Sequence, residues 1–187
     1  MHAPLNARSI VSKWTAALVV CVVEIYFPHN LNAADPWPGM AFATVRAFAW
    51  PADQDQASVV LADMTPRAGA VDPKGRLLSS TQVGKLIAAA TRKRAPWRLS
   101  LSSCFEPHHA FIFYDAAGRP VAFFEVCLHY HGYRLAPELS DLEPHYGDLA
   151  SLCAELELPF PKDFSLVDYR RRFDDTYVNG AGFEGAD

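Results

Sequence analysis

Hydrophobic and polar residues alternate from Ala41 to Trp50, with Phe42, Thr44, Arg46, Phe48 and Trp50 on one side and Ala41, Ala43, Val45, Ala47 and Ala49 on the other. A period of two over that length predicts a strand, and the small-residue side suits close packing against a helix. Ser58 to Asp63 reads as a second, shorter strand, and Thr65 to Arg76, with its proline and glycines, as a loop. The period then changes. Val83, Leu86, Ile87 and Ala90 recur at i, i+3, i+4 and i+7, behind a Ser79-Ser80-Thr81-Gln82 run that fits a capping box. This predicts a helix ended by Pro96. Leu99 and Leu101 alternate with serines in a further predicted strand.

Ala110 to Tyr114 and Val121 to Leu128 are aromatic and β-branched runs separated by Asp115-Ala116-Ala117-Gly118. Aspartate opens type I turns and glycine accepts the left-handed backbone that closes one with a bulge, so the pair predicts a β-hairpin. With Asp115 paired to Arg119, the simplest register sets Phe113 opposite Val121, Phe111 opposite Phe123 and His109 opposite Glu125. Glu125, Cys127 and His129 then share one face with His109, and His131 lies just beyond. A slip of one residue would scatter them.

Gly132 to Pro144 reads as a loop pinned by Leu135, Leu139 and Leu142, and a second helix is expected over about Tyr146 to Leu158. Leu149, Leu152, Cys153 and Leu156 form its apolar stripe, which makes Cys153 a small buried residue. Phe164 to Phe173 fits a short docked helix around Leu166 and Tyr169, and the tail beyond Asp174 carries no periodic pattern. The element order predicts an α+β domain, a small antiparallel sheet with a central hairpin at about 110–130 and two main helices on one face. One domain is expected over 35–174, between an export signal at 1–34 and a tail at 175–187.

The start of the chain follows a different logic. Arg8 and Lys13 make a basic n-region, Trp14 to Val23 an apolar run, and Asn32-Ala33-Ala34 a cleavage site before Asp35. The apolar run falls short of the ~20 residues that a bilayer-spanning helix needs, so no permanent transmembrane anchor is expected. Cys21 follows Leu18-Val19-Val20 without the small residue expected before a lipidated cysteine, which argues against a lipid anchor. The expected location is the periplasm or the exterior.

Charge bears on partners. The full chain has 17 basic and 21 acidic residues, a net of −4. Cleavage would remove Arg8, Lys13 and Glu24, leaving 15 against 20 and a net of −5. That balance argues against a nucleic-acid surface. The one basic run, Arg92-Lys93-Arg94, falls at a predicted helix end, where cations offset the exposed carbonyls.

Candidate chemistry concentrates between Cys104 and His131, which hold two of the four cysteines and four of the seven histidines. Three uses are open. Export into an oxidising compartment would let Cys104 and Cys127 form a disulfide, given a bend at Glu106-Pro107. The His109, Glu125, Cys127 and His129 set could instead hold a zinc ion, with Glu125 as ligand or acid-base group of a metal-dependent hydrolase. Cys127 beside His109 or His129 could also serve as a nucleophile. No zincin or phosphate-loop pattern occurs in the chain, and a packed, hydrogen-bonded face needs none of these roles.

The string CFEPHHAFIFYDAAGRPVAFFEVC, from Cys104 to Cys127, resembles a block shared by uncharacterised exported bacterial proteins. That resemblance covers only about Ser103 to Cys127 and implies export but no known activity. The chain departs from the block where His129 stands in place of a further cysteine, so no pairing or ligand set is carried over. The reading is therefore an exported, disulfide-stapled binding or structural domain with an envelope partner or a small molecule as its target. Zinc binding, with or without hydrolysis, is the alternative.

Overall fold

Alternation at the start of the globular region is realised as β1 (Thr44–Ala49), whose Val45, Ala47 and Ala49 are buried on one face. The computed structural model describes residues 37–51, 58–93, 105–160 and 164–171. After β1 come β2 (Arg76–Leu77), α1 (Ser80–Ala90), β3 (His109–Tyr114), β4 (Pro120–Cys127), β5 (Gly132–Ala136) and α2 (Tyr146–Glu155). The strands form one antiparallel five-stranded sheet in the order β2-β1-β3-β4-β5. Residues 166–171 are helical. The export signal, the Leu99–Leu101 strand, Cys104 and the tail all lie outside the described residues.

Local rules act where they were expected. The Ser79 hydroxyl accepts from Gln82 N at 3.3 Å and the Gln82 side chain accepts from Ser79 N at 2.9 Å, so two of α1's orphan donors are satisfied reciprocally. At the β3–β4 turn Gly118 N donates to Asp115 O at 3.0 Å, with Gly118 at φ 75°. Asp115 N then donates to Arg119 O at 2.9 Å, and the Asp115 carboxylate accepts from Ala117 N, Arg119 N and the Arg119 guanidinium. These donors hold its carboxyl below the usual aspartate range.

The register beyond that turn is not the simple one. Tyr114 faces Pro120 but Phe113 faces Ala122, so Val121 is an extra residue that shifts the rest of the hairpin by one. Phe111 therefore lies opposite Phe124, Ala110 opposite Glu125 and His109 opposite Val126. The slip has a packing cause. It aligns Phe111, Phe113, Ala122, Phe124 and Val126 on one face, in a single core with Leu86, Ala89 and Ala90 of α1 and Leu149, Ala150, Leu152 and Cys153 of α2. Trp37 meets Phe113 edge-to-face at 5.0 Å, and Phe124 stacks on Tyr133 at 6.0 Å.

The opposite face has its own smaller core of Phe48, Trp50, Ala110, Ile112 and Phe123, covered by Val59 and Val60 with Met64 and Ala70. Phe48 and Trp50 are thus buried. Ser58 to Asp63, expected as a strand, is a strap. Among the described residues its ladder-like pairing is the isolated bridge Val60–Pro66, and Leu61 N closes onto Thr65 O at 2.9 Å. Trp50 Nε1 donates to Arg67 O at 3.1 Å and Val71 N to Ala49 O at 2.8 Å, which hold the far end.

Three further expectations are corrected. Gly132 to Ala136 is an edge strand instead of a loop, and Leu139 is exposed while Leu135 and Leu142 are buried. The Thr65 to Arg76 loop ends in β2, held because Arg46 Nη1 donates to Lys74 O and Gly75 O. α1 stops at Ala90 with Thr91 as its cap, so Arg92 and Lys93 lie past the helix, where Glu143 N donates to Arg92 O. α1 and α2 are tied across their exposed sides by Glu155, which accepts from Lys85 at 2.6 Å and Gln82 at 3.0 Å.

Candidate functional site

Side chains in a strand alternate faces, so the one-residue shift at Val121 divides the predicted cluster. His109 points into the helix-side core, and Glu125 points to the strap side. They are not cross-strand neighbours. β4 ends at Cys127, and residues 128–131 form the turn into β5, so His129 leaves the strand and is exposed, its ring edge-on to Tyr130 at 4.5 Å. Among the described residues no three of His, Cys, Asp and Glu gather closely enough to hold a metal ion.

Cys127 is buried with a free thiol, and its Sγ accepts from Tyr130 N at 3.3 Å, shaping the turn. Cys153 is also a free thiol, buried against the helices, and burial pushes its pKa up, which leaves it protonated and inert. His131 holds a left-handed backbone at φ 56°; its carbonyl accepts from the Tyr146 hydroxyl, and its ring sits 5.0 Å from the Tyr146 ring. Tyr169, from the helical segment 166–171, donates to Leu128 O at 2.8 Å. The turn is therefore clasped by two tyrosines from outside the sheet.

His109 is 2% exposed. Its Nε2 lies 2.9 Å from Pro159 O, so that nitrogen carries a proton and donates to the carbonyl. Burial pushes its pKa down to about 4, against the opposing pull of the Pro159 carbonyl, with His108 adding a little repulsion. Its Nδ1 is buried without a partner among the described residues. The ring packs 5.4 Å from Phe160, so His109 fixes the chain where it leaves α2.

Glu125 lies at the centre of a dense polar arrangement. The residue is 0% exposed and belongs to a central strand. Its Oε2 accepts from Val59 N at 3.1 Å and Val60 N at 3.0 Å, two successive main-chain donors of the strap. Arg134, opposite it on β5, places Nε 2.5 Å from Oε1. The guanidinium also donates through Nη2 to Ser58 Oγ at 2.6 Å and Val60 O at 2.7 Å, and it lies 5.1 Å from the centre of the Phe123 ring. The Ser58 hydroxyl sits within 3.2 Å of both carboxylate oxygens and 2.7 Å from Val60 O. It has one proton to give, so it donates to one of these while accepting from Arg134. Arg67 Nε closes the outside by donating to Ser58 O at 2.9 Å. Burial raises the Glu125 pKa above the ordinary 4.5, opposed by Arg134, the two amides and the hydroxyl.

Sequence reasoning marked Glu125 but not Ser58, Arg67 or Arg134. The available signal was an acid inside an apolar strand, which demands a cation and donors from elsewhere. A shallow groove of about 400 Å³ between α1 and α2 is lined by Lys85, Ala89, Arg92, His145, Asp148 and Glu155. Lys85 pairs with Glu155 there, and His145 caps α2, its Nδ1 accepting from Asp148 N at 3.2 Å.

No protein-family model matches the chain, and neither curated proteins nor solved structures include a significantly similar one. No helix among the described residues is long and apolar enough to cross a membrane.

Proposed function

We propose that the chain is an exported binding or structural domain whose interior polar groups build architecture, acting on an envelope partner or a small molecule. One observation carries this reading. The two buried charged-type side chains among the described residues, Glu125 and His109, are both engaged with main-chain groups of segments that lie on the sheet, the strap at 58–60 and the post-helix turn at Pro159. Such groups are oriented toward the protein and not toward a cleft. Separation of His109 from Glu125 also removes the geometric support for a zinc-dependent hydrolase at that set.

The basic n-region, apolar run and small residues before Asp35 support export. In an oxidising compartment Cys127 is the natural partner for Cys104, with Cys153 left as a buried thiol. The protein isolated from its native host provides the test. A mature N-terminus near Asp35 and less than one zinc per ten chains by elemental analysis support the reading. An intact Met1 in the cytosol, or stoichiometric zinc, contradicts it.

A further inference from the structure

We propose that the chain after α2, residues 158–160 with residues 164–171, forms a clasp that acid releases from the sheet through protonation of His109 beneath it. The clasp is held by few groups. Pro159 O accepts from His109 Nε2 at 2.9 Å, and the Phe160 ring lies 5.4 Å from the imidazole. Phe160 stacks on Phe164 at 4.5 Å, Phe164 meets Tyr169 at 4.9 Å, and the Tyr169 hydroxyl donates to Leu128 O at 2.8 Å. The helical residues 166–171 make under two turns, and so short a helix does not hold in water without its packing. Lifting the clasp therefore uncovers His109 and unwinds this helix in one event.

The direction follows from the hydrogen bonds of the imidazole. Nε2 already donates, and Nδ1 is buried with no partner among the described residues. A second proton would sit on Nδ1, where its N–H would face no acceptor and the charge no carboxylate. The closed clasp therefore keeps the ring neutral, in keeping with a pKa that burial pushes down to about 4. Once the clasp lifts, water reaches the ring, which then takes up a proton at about pH 6.5 as a hydrated histidine does. Opening is coupled to uptake of one proton and becomes more frequent as pH falls. Between pH 7 and 5 the open population should rise about twentyfold, a figure set by the hydrated imidazole and by a closed ring that stays neutral.

Few other titratable groups face the ring. Its cross-strand neighbours are Ala49 on β1 and Val126 on β4, with Tyr133 beyond Val126 on β5. His108 precedes it, points to the strap side and adds a little repulsion. Cys153, from the face of α2 turned to the same core, keeps its proton throughout the window. Glu157, past the end of α2, is exposed and lies 3.6 Å from Arg76, and Asp168 on the clasp lies 3.5 Å from Arg171, also in solvent. His131 is the second imidazole at the clasp, its ring 5.9 Å from that of Tyr169.

Amide hydrogen exchange on the full chain, from pH 5 to 7 and corrected for the intrinsic rate, tests the coupling. The Leu158 and Tyr169 amides, which donate to Cys153 O and Ser165 O at 2.9 Å, report the clasp, and the Phe124 amide of β4 reports global opening. Opening at the clasp amides should rise about twentyfold from pH 7 to 5 and stay far more frequent than opening at Phe124. His109→Gln keeps a donor for Pro159 O without the titration and should flatten the profile. His131→Asn, which suits the left-handed backbone at that position, should leave the slope in place. A flat wild-type profile, a slope retained in His109→Gln or lost in His131→Asn, or equal opening at the clasp and at Phe124 would overturn the proposal. If His109→Gln does not fold, NMR titration of the wild-type imidazole replaces it. The His109 ring should then stay neutral in the folded chain down to pH 5, and protonation above that pH would contradict the clasp.

Discussion

Glu125 and His109 lie one position out of register on neighbouring strands and so on opposite faces, and the sheet between them makes their environments independent. Glu125 accepts two buried main-chain donors, so its removal strands them. Glu125→Ala should therefore lower stability by about 3 kcal/mol in urea denaturation, and Glu125→Gln, which still offers one acceptor, by clearly less. His109 gives a pH signature of its own. Its folded pKa of about 4 lies below the ordinary 6.5, so the unfolded chain takes up the proton first as pH falls. Stability is then lost between about pH 6.5 and 4, by at most roughly 3 kcal/mol from this group. Glu125 contributes the opposite slope above 4.5, because its folded value is raised. Denaturation of His109→Leu separates the two, and the acid-side loss should shrink in that variant.

At the scale of elements, the glycines of two turns make a graded comparison. Gly118 has φ 75° with nothing within 4 Å of a built side chain, so Gly118→Ala should cost only backbone strain, about 1 kcal/mol. Gly75 has φ 66°, and an added β-carbon would meet the Phe48 ring at 2.7 Å and Ala47 O at 2.9 Å. Gly75→Ala should cost at least about 1 kcal/mol more, since it also displaces a buried ring from the strap-side core. Thermal or urea melts of the two variants check the order. The same elements show what could be read in advance. The capping box at Ser79 and the Asp115–Gly118 turn were legible because a few adjacent residues decide them. The bulge at Val121 was not, because it is selected by how Phe124 and Val126 must meet α1 and α2 from distant parts of the chain. Ser58 to Asp63 resembled a strand because Val59, Val60 and Leu61 favour one, yet its amides are taken by a carboxylate more than sixty residues away. β5 was hidden by Gly132 and Pro137, which read as punctuation but sit at the ends of an edge strand.

For the whole molecule, the sheet separates two cores of unequal size, a helix-covered one and a strap-covered one. The α+β class was legible from the change of period along the chain. The proposed site was legible only as a set of residue types, since a single-residue slip reassigns every side chain to a face. The proposed export and pairing of Cys104 with Cys127 predict one alkylated cysteine per mature chain under denaturing, non-reducing conditions and three after reduction. Three labelled cysteines without reductant would show that the staple is absent. The Glu125 cluster acts as a structural latch joining β4, β5 and the strap. A double-mutant cycle of Glu125→Ala and Arg134→Ala, measured by urea denaturation at pH 7, tests it most directly. Residues sharing one hydrogen-bonded network should show a coupling of at least about 1 kcal/mol. Additive losses, with the pair worth nothing beyond its parts, would contradict the latch.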